Sequence, residues 1–323
     1  IVTDADRFDV PALHINSWYD GTPQSTLDLF RLFSQNAVSA RARHNQFLIM
    51  APSTHCQFDR MTRESVVGDR PLGDAQLNYR AIYLAWFEHW LRGVEKGITS
   101  MPGVSSFAMG QGEWRLAPSW PLPGTKPVRW FLSSDERGAN SRNGDGALAP
   151  QAGRSGRERD EYFYDPLFPS PSVGGGMCCL GPETRNGAID QRTVELRNDV
   201  LVYTSAPLDR ALEVAGQARA ELFVSSSAKD TDFIVKLIDV YPDGTAYIVH
   251  EGVLRARWRA GFERPVWFRP GEVVALTVQI EATHNYFAAG HRIRLDISSS
   301  SFPVWERNLN TGGPNYSESA PVT

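Results

Sequence analysis

Two short segments carry the side chains best suited to proton transfer. Trp18-Tyr19-Asp20-Gly21 follows one apolar run, and Pro52-Ser53-Thr54-His55 follows the next. A carboxylate that accepts the Nδ1–H of an imidazole fixes its tautomer and stabilises the imidazolium. The other ring nitrogen is then free to take a proton from a hydroxyl nucleophile. Asp20 and His55 are of the right types for that pair. Each also has an ordinary reading: Asp before Gly is a common turn pair, and a single loop His is usually only a polar surface residue. Cys56 adjoins His55, but adjacent side chains in extended backbone diverge, so it is read as a neighbour and not as a nucleophile.

The elements that must place these loops are legible around them. Residues 8–16 form a short apolar run, with Pro11 tolerated near its start, and read as a buried strand. Gln46-Phe47-Leu48-Ile49-Met50 reads as a second buried strand, ended by Ala51-Pro52. In an open parallel sheet, ligands gather at the carboxyl ends of strands. An acid after one strand and a His after the next fit the last two members of the chain order Ser, Asp, His. Leu29, Leu32 and Phe33 predict a helix from about Ser25 to Phe33, with Thr22 or Ser25 as cap. A polar loop follows over 53–75. Asn78 to Leu91 then repeats apolar residues at helical spacing and stops at Gly93. The first 95 residues therefore read strand–helix–strand–helix, an α/β piece with too few strands to build a covered sheet alone.

From about residue 100 short β-rich runs appear: 104–109, 128–132, 191–194, 201–203, 217–225, 231–240, 246–256, 272–283 and 292–298. Arg292-Ile293-Arg294-Leu295-Asp296-Ile297 alternates as a half-buried strand should. Pro242-Asp243-Gly244 and Arg269-Pro270-Gly271 supply turns. This texture predicts an all-β sandwich. Residues 133–160, rich in Gly, Ser, Arg and Asn, predict a mobile surface loop.

Composition narrows the functions. The 323 residues hold 33 Lys and Arg against 37 Asp and Glu, so the net charge of -4 excludes nucleic-acid binding by bulk charge. No run approaches 18 apolar residues, so no membrane-spanning helix and no membrane partner are expected. Cys56, Cys178 and Cys179 are too few and too placed for a disulfide framework, and the odd count leans to a reducing, cytoplasmic setting. The seven His show no zinc-ligand spacing, adjacent Cys178-Cys179 read as structural thiols, and no phosphate loop occurs. No metal and no cofactor are expected.

The segments taken together resemble one family. Val10-Pro11-Ala12-Leu13-His14-Ile15-Asn16-Ser17-Trp18-Tyr19-Asp20 looks like the acid-bearing segment of the cocaine esterase-like and X-Pro dipeptidyl-peptidase-like (CocE/NonD) serine hydrolases. Ile49-Met50-Ala51-Pro52-Ser53-Thr54-His55 resembles their histidine segment, with Ala51 and Ser53 in place of the usual Gly and Trp. Trp86-Phe87-Glu88-His89-Trp90-Leu91-Arg92-Gly93 resembles the helix that ends their catalytic domain. Asp232 to Gly244, and Ser298 to Pro303 with Arg307 to Gly312, are similar to two segments of their jelly-roll domain. The resemblance implies two domains. Residues 1–100 would be the C-terminal part of an α/β-hydrolase catalytic domain, and 101–323 a jelly-roll β-sandwich lacking its last strand. It also implies Asp20 as triad acid and His55 as general base.

The family's Gly-x-Ser-x-Gly nucleophile elbow has no counterpart. Gly153-Arg154-Ser155-Gly156 has the wrong spacing, and Gly103-Val104-Ser105-Ser106 lacks the second Gly and follows the histidine. The chain therefore reads as the second half of a serine hydrolase of acyl esters or amides, cut at both ends. The serine is then expected in a missing N-terminal half, its natural partner beside a small ester, amide or peptide substrate. Alone, the chain is expected to be inactive, and its oligomeric state is not read. The competing expectation is a non-catalytic, carbohydrate-binding jelly-roll module, with Trp258, Trp267 and Trp305 as possible sugar platforms.

Overall fold

The computed structural model describes residues 2–153, 156–178, 181, 184–314 and 316–322. The chain forms two compact units. One comprises Ile1–Lys126, Glu213–Gly216 and Ala282–Tyr286; the other comprises Pro127–Leu212, Gln217–Glu281 and Phe287–Thr323.

The first unit begins with β1 (Ala12–Tyr19), α1 (Pro23–Asn36), α2 (Ala40–His44) and β2 (Gln46–Thr54). A short hairpin follows, β3 (Ser65–Val67) and β4 (Arg70–Gly73), then α3 (Tyr79–Arg92), β5 (Val104–Ala108) and β6 (Glu113–Ala117). Its main sheet has the order β1-β2-β5-β6, parallel except for the last pair. The helix spacing predicted over 78–91 is realised as α3. The Asn78 side chain accepts the Ala81 N–H, and Gly93 closes the helix in the left-handed region at φ 68°. Pro23 opens α1, where the missing N–H costs nothing.

Two departures matter here. The first strand extends through Trp18 and Tyr19, which read as loop. Both are fully buried, and the Trp18 indole N–H donates to the Phe107 carbonyl at 2.9 Å. The second strand runs past Pro52 to Thr54. Pairing with β5 ends at Met50, and the β1 ladder is irregular at this point, so no ladder bond is lost to the proline. The first compact unit runs on to Lys126, because β5 adds to β2 and β6 adds to β5.

The later strands are β7 (Phe131–Ser133), β8 (Ala147–Ala149), β9 (Leu201–Ser205), β10 (Leu212–Gly216), β11 (Arg219–Val224), β12 (Asp232–Val240), β13 (Ala246–Arg255), β14 (Val274–Gln279), β15 (Thr283–Phe287) and β16 (Arg292–Ser298). The second unit holds a six-stranded sheet, β13-β12-β16-β9-β8-β7, and the antiparallel pair β11-β14. Gly252 of β13 lies against the β14 backbone: a Cβ there would come within 1.8 Å of the Gln279 carbonyl oxygen. The run 191–194 is no strand; a 3-10 turn occupies Val194–Leu196.

The described residues of 133–160 are not the loose loop that the composition of the segment suggests. Asp145 accepts the backbone N–H groups of Asp135 and Arg137, and Asp160 accepts from the Ser134 hydroxyl, the Ala139 N–H and the Tyr203 hydroxyl. Carboxylates supply there the order that apolar burial supplies elsewhere. Ser155, of the rejected elbow, lies outside the described residues, as does Cys179.

Candidate active site

The register of the first sheet brings the two loops together. β1 pairs with β2 from Ala12↔Gln46 to Ser17↔Ala51, then resumes after an irregularity at Tyr19↔Thr54. The residues that follow this last pair are Asp20 and His55. The His55 Nδ1–H donates to Asp20 Oδ2 at 2.6 Å. This is a short charge-assisted contact.

Asp20 is itself fixed. Its Oδ1 accepts the backbone N–H and the hydroxyl of Thr22, both at 3.0 Å, so both carboxylate oxygens are engaged. Asn16, four residues earlier on β1, donates to the Thr22 carbonyl at 3.1 Å and the Thr26 hydroxyl at 2.7 Å, which pins the loop to the start of α1. Between the strands, the hydroxyls of Ser17 and Ser53 share a hydrogen bond of 2.7 Å in full burial. The asymmetry of the pair follows: the Asp20 side chain is 7% exposed and that of His55 38%. Among the described residues, His55 Nε2 has no partner. It is free to exchange a proton with a group brought to it.

Cys56 is exposed and its backbone is left-handed, at φ 55°. Cys178 is exposed as well. The tryptophans considered as sugar platforms are otherwise engaged. The Trp267 ring is covered by Lys229 at 4.9 Å and Arg257 at 5.1 Å, and the Trp305 N–H donates to Glu251 at 3.0 Å. Trp258 lies 6.2 Å from Phe262.

A second Ser–His–acid constellation escaped the sequence reading. It lies in the same unit, where β10 and β15 pair. The Ser106 hydroxyl donates to His284 Nδ1 at 2.7 Å, and the His284 Nε2–H donates to Glu213 Oε1 at 2.9 Å. Arg115 donates to the same oxygen at 3.2 Å. Ser106 and His284 are fully buried. Burial pulls the His284 imidazole below its ordinary range, against the Glu213 hydrogen bond that raises it. Burial opposes ionisation of Glu213 too, but hydrogen bonds from His284 and Arg115 outweigh it and hold the carboxyl below its usual range. Both imidazole nitrogens are used and the serine is buried, so only Glu213, at the outer end of the relay, meets solvent. No spacing signal links residues 106, 213 and 284; only the fold does.

Residues 96–322 match the family described as the X-Pro dipeptidyl-peptidase C-terminal non-catalytic domain. The chain is 38% identical over 307 residues to the cocaine esterase of a Rhodococcus species, covering 94% of this chain and 51% of that one. Its fold is similar to the crystal structure of an aminopeptidase from a marine sediment Thaumarchaeota archaeon. That match has 26% identity and a TM-score of 0.79, with coverage of 98% and 52%. It is similar in fold to an α-amino acid ester hydrolase, at 24% identity and a TM-score of 0.80, again with 98% and 52% covered. The chain thus spans about half the length of these relatives. Asp20 and His55 precede the segment matched as non-catalytic.

Proposed function

The chain belongs to the CocE/NonD, X-Pro dipeptidyl-peptidase-like hydrolase family, and on that premise we propose that Asp20 and His55 are the acid and general base of a Ser-His-Asp triad. The serine lies outside these 323 residues, in an N-terminal half that completes the catalytic domain. The observation that carries this reading is the 2.6 Å contact from His55 Nδ1 to a buried, fully hydrogen-bonded Asp20, with Nε2 left open.

The proton path follows from that geometry. Asp20 holds the proton on Nδ1, so Nε2 presents its lone pair. A serine hydroxyl arriving there gives up its proton as its oxygen attacks the substrate carbonyl. The imidazolium, stabilised by Asp20, returns the proton to the leaving alcohol or amine. Water then repeats the cycle to release the acid. The substrate class is a small acyl ester, amide or peptide, and no cofactor enters.

In this reading the first unit is the end of an α/β-hydrolase domain, and the sheets of the second form a jelly roll. β1 is terminal in its sheet among the described strands. Its outer edge offers backbone groups to a further strand, which suits completion by the missing half. A second reading rests on the match of residues 96–322 to a domain described as non-catalytic: a supporting module that contributes no reacting group. Hydrolysis of p-nitrophenyl acetate separates the two. The isolated chain is expected to be inactive, and the chain joined to the N-terminal half of its parent active. His55→Ala in the joined protein should abolish the acylation burst. Unchanged turnover in that variant would remove His55 from the mechanism.

A further inference from the structure

Arg292 and Arg294 stand two residues apart on β16 and so share one face of the six-stranded sheet. Asp296, the next residue on that face, lies opposite Lys236 and is sealed, whereas the two arginines open into a cavity of about 670 Å³. Arg142 and Arg192 also line it, with Asp243 from the turn after β12. All of these residues belong to the second unit.

Ion pairs account for two of the four guanidinium groups. Arg192 lies 2.6 Å from Asp190, and Arg294 lies 2.5 Å from Glu195 while donating to the Thr204 hydroxyl at 2.8 Å. Arg292 donates to a neutral partner, the Ser205 carbonyl, at 2.9 Å. The Arg142 side chain has no hydrogen-bond or ion-pair partner among the described residues. The lining carboxylate, Asp243, accepts the Thr245 N–H at 2.9 Å. Beneath the cavity, burial raises Glu195 above its ordinary range against the pull of Arg294 and Arg142, and raises Asp296 well above its own.

We propose that this cavity is a binding site for a small oxyanion ligand, whose carboxylate or phosphate group is gripped by Arg142 and Arg292. A guanidinium is a rigid fork that matches two oxygens of either group, and it keeps its charge at any physiological pH. The volume falls within the roughly 300–1,000 Å³ usual for small-molecule sites. A concave wall focuses the field of the lining guanidinium groups, and the chain's net charge of -4 disfavours a long polyanion over a small one. This site is independent of Asp20 and His55 and does not rest on the hydrolase reading.

The test is calorimetric titration of the 323-residue chain with inorganic phosphate and, separately, with citrate, at constant ionic strength in chloride. Saturable binding of at least one is expected, at one site per chain. Tighter phosphate identifies a phosphate site; tighter citrate identifies a carboxylate site. Arg142→Gln should weaken the better ligand about tenfold or more, and adding Arg292→Gln should weaken it further. Arg142 is exposed and unpaired, so its replacement leaves the fold intact, as circular dichroism would verify. No saturable heat with either anion overturns the proposal, and so does binding that is undiminished in R142Q and in the double variant.

Discussion

His55 and His284 lie in the same unit and each contacts a carboxylate, yet they are built for opposite ends. His55 uses one nitrogen on a buried, well-held Asp20 and turns the other toward open space. His284 spends both nitrogens, on Ser106 and Glu213, and is fully sealed. By composition the second set is the more complete triad, since it contains its own serine. By access it is inert, because a nucleophile that no substrate can reach does no chemistry. A serine, a histidine and an acid in line do not make a catalyst; an unoccupied nitrogen beside open space is the feature that separates the two. The same contrast explains the supporting bonds. Around Asp20 they fix the acid and leave the base free, whereas around His284 they fix every member.

The largest effect that could break this comparison is on turnover. In the chain joined to its N-terminal half, Asp20→Asn should keep the fold and reduce kcat by about 10⁴-fold, the size of tautomer loss in triad enzymes. Glu213→Gln, the same change on the sealed relay, should leave kcat per folded molecule within about twofold. Stopped-flow acylation normalised to folded protein measures both. A collapse of turnover in E213Q, or near-normal turnover in D20N, would invert the assignment of the two sites.

How much of this was legible from the residues alone differs between the sites. Asp20 and His55 follow successive strands, so pairing in parallel register is enough to bring them together, and alternation and loop position make that visible. Ser106, Glu213 and His284 meet through β10 and β15, two short strands that had no strand reading of their own. Leu212–Gly216 is brief, and Thr283-His284-Asn285 is a polar run that the fold buries, so neither alternates in a recognisable way. The segment 133–160 failed for a related reason: its order comes from Asp145 and Asp160 accepting backbone donors, which composition does not encode. Arg292 and Arg294 were legible as one face of a strand, but the cavity before them depends on Arg142 and Arg192, far away in sequence. Local periodicity therefore shows elements and the loops between neighbouring strands, while long-range polar closure stays hidden.

Stability sharpens the comparison in the other direction. His284→Ala should cost about 3 kcal/mol, because it leaves the buried Ser106 and the Glu213 carboxylate without their partner. His55→Ala, at a half-exposed site, should cost less than about 1 kcal/mol. Urea denaturation of the chain measures both. The relay also gives stability a pH dependence. The folded His284 resists protonation through burial, while the unfolded imidazole takes a proton below about pH 6.5. The unfolded state then binds more protons, so stability falls as pH drops below that point. Glu213, held below its usual range, adds its own loss as the pH falls through the carboxylate range. His14, also lowered by burial, contributes in the first window and persists in a His284→Gln variant. That variant should flatten, without abolishing, the slope of melting temperature between about pH 6.5 and 5. An unchanged slope would remove His284 as its source.

The smallest effect concerns what holds the open site in register. Ser17 and Ser53 lie just before the irregularity that aligns Tyr19 with Thr54, and their shared hydrogen bond ties the strand ends that carry Asp20 and His55. Replacing Ser53 with alanine strands the Ser17 hydroxyl in a buried place and should cost about 1 kcal/mol, replacing Ser17 should cost somewhat less because Ser53 keeps the Thr54 carbonyl at 3.3 Å, and replacing both should cost little more than one replacement. A double-mutant cycle in urea isolates the coupling. If the bond merely fills space, the two costs add. If it sets the separation of acid and base, the single variants should also lower kcat of the joined hydrolase several-fold with KM unchanged, because a misplaced Asp20 weakens the imidazolium and not the binding of substrate.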